Sequence, residues 1–519
     1  MTRRSPRTRV RAHQPTRREA LSTAGGAVAG LLAGAHVMQP TPTLAQAAQA
    51  ALATQTAQAA QAAPAQAGSD LTGRLARYMA AAPGRDIPAQ AMDDAKARIL
   101  DTLAAIVSGS SLPPGQLAMT YVREQGGTPQ ASVACTNIRT TAVNAAFAGG
   151  MLAHADETDD FEPVTKAHPG CSVVPAALAV GEWQGRPGRE FIRAVVLGYD
   201  LCCRVLMALG PDHVRATHRS AEGLSSTFGA AAAAAAMARF DERQMRFALS
   251  YAAQQMSGLW SWRRDEDHTE KAFDFSGMGA RNGVAGATMV MAGFTGVDDV
   301  LDGTRSLVQA LSTVPRPEEL VADLGSRFYV SETAIKVFSV GYPIQSPLDA
   351  FLSLYREHAL TPASVSRIVV RMPPDGAGIV DNSPMPDVNC QHLMAVALVD
   401  GTVSFDASHS RERMSDPAVR AVRERVTLIG DPQLDDPSAP RSGLVQVTLA
   451  DGRTVERFTR HAPGTRENPL SYAQVADKAR SLIAPVLGEA RAQAIVERVN
   501  ALDALGNVGE LAALMAARA

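Results

Sequence analysis

From residue 69 to about residue 333 the chain reads as one helix after another, and no other feature constrains its fold as strongly. Between 88 and 107, Ala91, Met92, Ala95, Ile99, Leu103 and Ile106 recur at helical spacing, with Pro88 suited to the first turn. Further helices are predicted over 140–152, 171–183, 188–209, 228–238, 242–256 and 279–293, divided by Gly, Pro and Asp. The alanines of 230–236 let a central helix approach its neighbours closely, because small side chains permit near backbone contact. This pattern predicts a helical bundle and not a βαβ array.

The character changes after Ser331. Stretches 365–372 and 425–429 are short and β-branched, and 444–449 meets 454–458 around Asp451-Gly452, a hairpin signal. Beyond His461 helical character returns, with Ser471 capping a segment to Leu487 and two alanine-rich helices following. The expected fold is therefore mainly α: a large all-helical domain with a smaller α+β unit inserted. At 519 residues and 46% hydrophobic content, the chain can bury a large core and exceeds one compact domain.

The N-terminus reads as an export signal. A basic stretch leads to Arg17-Arg18, then to a glycine- and alanine-rich apolar run over 22–38 that is too short to span a membrane well. Ala45-Gln46-Ala47 offers a cleavage site, so 1–47 is expected to be a twin-arginine-type leader directing the protein to the periplasm. The Ala/Gln tract 48–68 reads as a linker.

Lysine and arginine (50) nearly balance aspartate and glutamate (52), so no basic field favours nucleic acid or an anionic membrane. Five cysteines without CxxC pairs suit neither a zinc site nor a disulfide scaffold. Gly25-Gly26 and Gly149-Gly150 lack the spacing of a nucleotide-binding loop.

Chemistry concentrates in His154-Ala155-Asp156-Glu157-Thr158-Asp159-Asp160-Phe161 and Ala167-His168-Pro169-Gly170-Cys171. Both lie between predicted helices, where a loop can bring carboxylates and imidazoles together on a ligand. A carboxylate beside an imidazole can remove a proton next to a carboxyl group and protonate a departing hydroxyl. Asp, His and Pro-Gly are equally at home in caps and turns, so a purely structural loop is the competing reading. The acidic run lacks the glycine of a calcium loop, and no HExxH pair exists for zinc; no metal or other cofactor is expected.

These residues resemble the signature of the MmgE/PrpD family, which includes 2-methylcitrate dehydratase and cis-aconitate decarboxylase. Similar blocks follow in family order at Thr227-Phe228-Gly229-Ala230, Ala280-Arg281-Asn282-Gly283-Val284, Gly293-Phe294-Thr295-Gly296, Leu398-Val399-Asp400-Gly401 and Glu467-Asn468-Pro469-Leu470-Ser471, so the resemblance runs from about Leu71 to the C-terminus. It implies a homodimer whose helical domain comprises 69–333 and 461–519, with an α+β lid at 334–460 and the site in the cleft between them. It maps Glu157, Asp159 and His168 onto family active-site positions, and Lys336 onto a family lysine. Lys271 lies one residue from the register of another.

Lys271 and Arg281 suit a carboxylate substrate through charge-assisted hydrogen bonds, with ordinary salt bridges as the alternative. Gln345 stands where several members have a histidine, and it cannot exchange a proton at neutral pH. His392 stands where the decarboxylase branch has a tyrosine; it is either a replacement acid or a core histidine on the apolar face shared with Leu393 and Val396. His218 lies two residues before the position of a further family histidine. Trp260, Trp262, Arg263 and Arg264 fall where the family places residues near the pocket, although packing is the commoner use of such tryptophans. The first expectation is metal-independent dehydration of a 2-methylcitrate-like hydroxy acid. Decarboxylation of a cis-aconitate-type acid, or a catalytically impaired periplasmic carboxylate-binding protein, are the alternatives.

Overall fold

A computed structural model describes residues 70–517. The expected leader and the linker lie outside the described residues.

The first lobe is helical: α1 (Leu71–Ala81), α2 (Ala89–Gly109), α3 (Pro113–Gln125), α4 (Ala142–Ala153), α5 (Pro169–Gln184), α6 (Gly188–Leu209), α7 (Ala221–Met237), α8 (Glu242–Gln255) and α9 (Met278–Met291). Several boundaries shift from the sequence reading, and at two of them the helix cap gives the reason. Pro88 is the N-cap of α2 and not part of its first turn. Helix α7 begins seven residues before 228, because Ser220 caps it: its Oγ accepts from Gly223 N at 3.1 Å.

Helix α7 is buried from Gly223 through Met237 and packs against α5, α6 and α9. Backbones touch there. A Cβ on Gly229 would stand 2.9 Å from the Gly198 carbonyl of α6, and one on Gly283 of α9 would stand 2.4 Å from Ala231 N. Glycine and alanine are what this central helix can accommodate.

The second lobe has its own apolar core, including Ile344, Phe351, Ile368, Val370, Leu393 and Val447. Helices α10 (Gln345–His358) and α11 (Cys390–Asp400) accompany a sheet of β3 (Val365–Met372), β4 (Val426–Gly430), β5 (Gly443–Leu449) and β6 (Thr454–Thr459), in the order β4-β3-β5-β6. A two-residue ribbon in the first lobe, β1 (Ala131–Ser132) with β2 (Arg139–Thr140), precedes these strands. Strands β3 and β4 run parallel and the other pairs antiparallel. Gly452, at φ +88°, turns the β5–β6 hairpin, a backbone region open to glycine at little cost. The chain then returns to the first lobe through α12 (Tyr472–Leu487), which packs on α2, and α13 (Glu489–Asn500). The protein is thus mainly α with a small α+β part. No helix among the described residues is long and apolar enough to cross a membrane.

One crossover matters for chemistry. Phe161 and Ala334 exchange backbone hydrogen bonds of 3.0 and 2.8 Å, pinning the segment that leads into the second lobe against the acidic loop.

Candidate active site

The loop from His154 to His168 joins α4 to α5, and its acids divide the labour by position. Asp156 and Asp160 hold the backbone. Asp156 accepts from Ser108 Oγ at 2.5 Å and Thr158 N at 3.0 Å, and Asp160 accepts from Gly170 N at 2.9 Å. Burial pushes both carboxyls up to about 6. Glu157 and Asp159 instead face the lysines and histidines. Glu157 has φ +54°, a strained setting for a non-glycine residue that the surrounding contacts must maintain.

Four side chains meet on these two carboxylates. Lys336 Nζ, fully buried on the crossover, donates to Glu157 O at 2.8 Å, Glu157 Oε2 at 3.0 Å and Asp159 Oδ1 at 3.3 Å. Lys271 Nζ binds Glu157 Oε1 and lies 2.9 Å from His154 Nε2. Lys271 precedes the π-helical segment Phe273–Gly277, and its ammonium sits 4.1 Å from the Phe275 ring centre. Asp159 Oδ2 accepts from two imidazoles, His154 Nδ1 at 2.9 Å and His168 Nδ1 at 3.0 Å.

The electrostatics follow from this packing. Burial drives Asp159 upward, but His154, Lys336 and His168 outweigh it and hold the carboxyl well below its usual range. Burial pushes His154 well down against the pull of Asp159, so its ring is neutral, with Nδ1–H toward Asp159 and Nε2 accepting from Lys271. Burial and the neighbouring Lys336 push Lys271 well below its ordinary value. With Nδ1 held by Asp159, His168 keeps Nε2 for the cavity that it lines. This is how a carboxylate fixes the tautomer and orientation of a catalytic imidazole.

A second buried group adjoins the first. His268, at φ +61°, puts Nε2 3.7 Å from Glu157 Oε1 and Nδ1 2.9 Å from Asp387 Oδ2, off the axis of a straight hydrogen bond. Burial would lower His268, but Asp387 outweighs it and raises the ring. Asp387, on the second lobe, is held low against burial by His268 and His409.

The cavity has a volume of about 50 Å³ and is walled by His168, Lys271, Phe161, Trp262, Phe275 and Tyr342. Its rim is basic, with Lys166, Arg215, Arg263 and Arg441. A larger cleft of about 970 Å³ lies between α2 and the 464–472 segment, but it contains no histidine and its Arg327 is already paired with Glu332. The smaller cavity carries the acid–base groups.

Glu157, Asp159, His168, Lys271 and Lys336 therefore converge, while four other candidates stand apart. His392, on α11, is fully buried in the second lobe, and neither ring nitrogen has a hydrogen-bond partner. Gln345 spends its amide on the crossover backbone: Oε1 accepts from Val337 N and Phe338 N at 3.2 Å each, and Nε2 donates to Phe338 O at 2.9 Å and Val340 O at 3.2 Å. Arg281 donates to its neighbour Asn282 at 3.1 Å and lies over Phe273. His218 is exposed, edge-on to the outside of Trp260 at 6.3 Å. None of the four lines the cavity. Of the pocket-side candidates, Trp260, Trp262 and Arg263 line it and Arg264 does not. Sequence reasoning gave no role to His154, His268, Asp387, Lys166, Arg215 or Arg441. His154 opens the acidic motif and Lys166 lies between that motif and His168, so both were within reach; the others lie in segments without a motif.

Two triads bring metal-type donor atoms within 4.8 Å of one another: His154, Asp159 and His168, and His154, Glu157 and His268. The carboxylates of both are already paired with lysine ammonium groups. Those fixed cations neutralise the charge that a divalent ion would otherwise balance.

Comparison with known proteins gives the same grouping. Residues 73–320 match the MmgE/PrpD N-terminal domain and residues 338–503 the MmgE/PrpD C-terminal domain. Among curated relatives, a cis-aconitate decarboxylase-like protein, oryM, from Aspergillus oryzae is 25% identical over 478 residues, covering 86% of this chain and 97% of the relative. A cis-aconitate decarboxylase from Aspergillus terreus is 24% identical over 486 residues, covering 86% and 96%. The chain belongs to the MmgE/PrpD family.

Proposed function

We propose that this member of the MmgE/PrpD family is a lyase for a small polycarboxylic acid, transferring a proton at the carbon beside a carboxylate through His168 and needing no metal. One observation carries the reading: His168 is fixed at Nδ1 by Asp159 and opens its other nitrogen to a cavity flanked by buried Lys271. Decarboxylation of a cis-aconitate-type acid is the first choice, reversing the sequence-based order, and the names of the fungal relatives support it.

In such an acid one carboxylate sits on a methylene next to a double bond. Breaking its C–C bond releases carbon dioxide, and the freed electron pair forms a new double bond. The pair of the old double bond takes a proton at its far carbon, beside a second carboxylate. Protonated His168 supplies that proton, and Asp159 stabilises the imidazolium beforehand. Negative charge developing on the carbon and its carboxylate is met by the Lys271 ammonium in a water-poor cavity.

Dehydration is the second reading. Lys271 favours it, because an ammonium pushed well below its ordinary value protonates a departing hydroxide readily while His168 removes the carbon-bound proton. Incubating the purified protein with cis-aconitate, citrate or 2-methylcitrate after EDTA treatment separates the readings. Carbon dioxide release from cis-aconitate supports decarboxylation, and an absorbance rise from a hydroxy acid supports dehydration. Tight binding without turnover of any of the three replaces the lyase with a carboxylate-binding protein. Export through residues 1–47 and a homodimer belong to the same proposal; fractionation and light scattering test them.

A further inference from the structure

The rim beyond Phe161 is built differently from the catalytic floor. The Phe161 ring stacks on Tyr342 at 4.1 Å and meets the His168 ring edge-on at 5.3 Å. Two cations flank it, Arg441 with its guanidinium carbon 5.7 Å from the ring centre and Lys166 with its ammonium at 5.9 Å. Arg215 reaches the same place from the first lobe and binds Asp375 Oδ2 at 2.9 Å, while Arg441 binds Asp375 Oδ1 at 2.7 Å. Asp375 and Arg441 belong to the second lobe. Glu222 also lines the cavity, with its carboxylate 3.0 Å from Ser220 Oγ.

A bridge between lobes needs one cation per carboxylate, yet two guanidinium groups share this one, and crowded like charges repel. Donors also remain unspent. The Arg441 side chain is only 8% exposed and its Nε is buried without a partner, while Lys166 Nζ donates to the Pro163 carbonyl at 2.6 Å. A buried guanidinium nitrogen left unpaired is costly, and an anionic oxygen satisfies it with a charge-assisted hydrogen bond.

We propose that Lys166, Arg215 and Arg441 form a distal carboxylate subsite that holds a second carboxylate of the substrate while the first lies against His168 and Lys271, selecting polycarboxylic over monocarboxylic acids. The identity of the inner carboxylate rests on the lyase reading, whereas anion binding at the rim does not. Phe161 and Tyr342 form the apolar divider between the two ends. Because the cations come from both lobes, the bound acid ties the lobes together.

The test is equilibrium binding of tricarballylate and of butyrate, read by the fluorescence of Trp260 and Trp262, to wild type, Arg441→Gln and Arg215→Gln. Tricarballylate is expected to lose about 10- to 100-fold in affinity in each variant, with butyrate changing less than about threefold. Arg441→Lys, which keeps the charge without the fork, recovers part of the loss. Arg215→Gln keeps the test decisive if buried Arg441 is needed for folding. Equal losses for both acids, no loss in a folded variant, or failure of wild type to bind tricarballylate overturns the subsite. Wild type that binds tricarballylate selectively but turns nothing over leaves the subsite standing and removes the lyase.

Discussion

The floor of the cavity and the core of the second lobe each bury a histidine, and they treat it in opposite ways. His392 lies among Leu393, Val396 and their neighbours with no side-chain partner for either nitrogen, and burial, reinforced by Arg423 and only partly opposed by the Ala407 backbone, lowers it to about 4. It is a neutral packing group. His168 is also nearly buried, but a carboxylate grips one nitrogen and the cavity receives the other. Burial by itself silences an imidazole; burial with a carboxylate behind and space in front arms it.

Removing the armed ring has the largest consequence. His168→Gln is expected to lower kcat at least about 10³-fold while leaving the folded structure intact. Activity within tenfold of wild type would move the proton transfer to another group. Asp159→Asn comes next, with a fall in kcat of about 10²- to 10⁴-fold, because the ring loses its orienting acceptor. It also leaves Lys336 short of a counter-charge, so a drop in Tm accompanies the kinetic loss. A variant that loses stability but keeps kcat would reduce Asp159 to a structural partner of the lysine.

Residues adjacent in sequence were legible and residues adjacent only in space were not. The acidic block and His168 lie within fifteen residues, so their composition announced a site before any fold was known. Lys271 and Lys336 emerged through family resemblance, since a lone lysine in a loop carries no local signal. His268, Asp387, Arg215 and Arg441 come from segments with no motif, and packing alone brings them to the cavity. Helical periodicity located α2, α4 through α6, α8 and α9 well because their buried faces repeat at 3.6 residues. The start of α7 was missed because Ser220 caps a stretch whose small residues hide the period. Gln345, expected from the resemblance to stand where several members have a histidine, faces backbone, a matter of side-chain direction that spacing does not encode.

Charge also separates the floor, where each carboxylate has a cation, from Asp274 nearby, which has hydroxyl and amide donors and acidic neighbours. Asp274 accepts from Ser220 Oγ and from Leu259 N at 3.2 Å, and burial, with Glu222 adding to it, raises the carboxyl to about 7. The folded state thus binds this proton more tightly than the unfolded chain. Its stabilising effect is complete below about pH 4 and is lost as pH rises through about 7. Asp274→Asn is expected to gain Tm relative to wild type by a few degrees between pH 5 and 8, with the gap widening as pH rises. A constant gap would mean that Asp274 ionises like an exposed carboxylate.

The smallest effect belongs to the silent histidine, and it tests the comparison from the other side. His392→Leu replaces a ring with two unpartnered nitrogens by an apolar side chain of similar volume within an apolar core. Removing an unsatisfied buried polar group is neutral or stabilising, by up to about 1–3 kcal/mol. kcat is expected to stay within about twofold of wild type, since such changes away from the reacting atoms leave transition-state contacts alone. Tm should hold or rise. A tenfold fall in kcat with Tm unchanged would show that α11 delivers His392 to the substrate in a state with the lobes apart, and the division between an armed and a silent histidine would no longer stand.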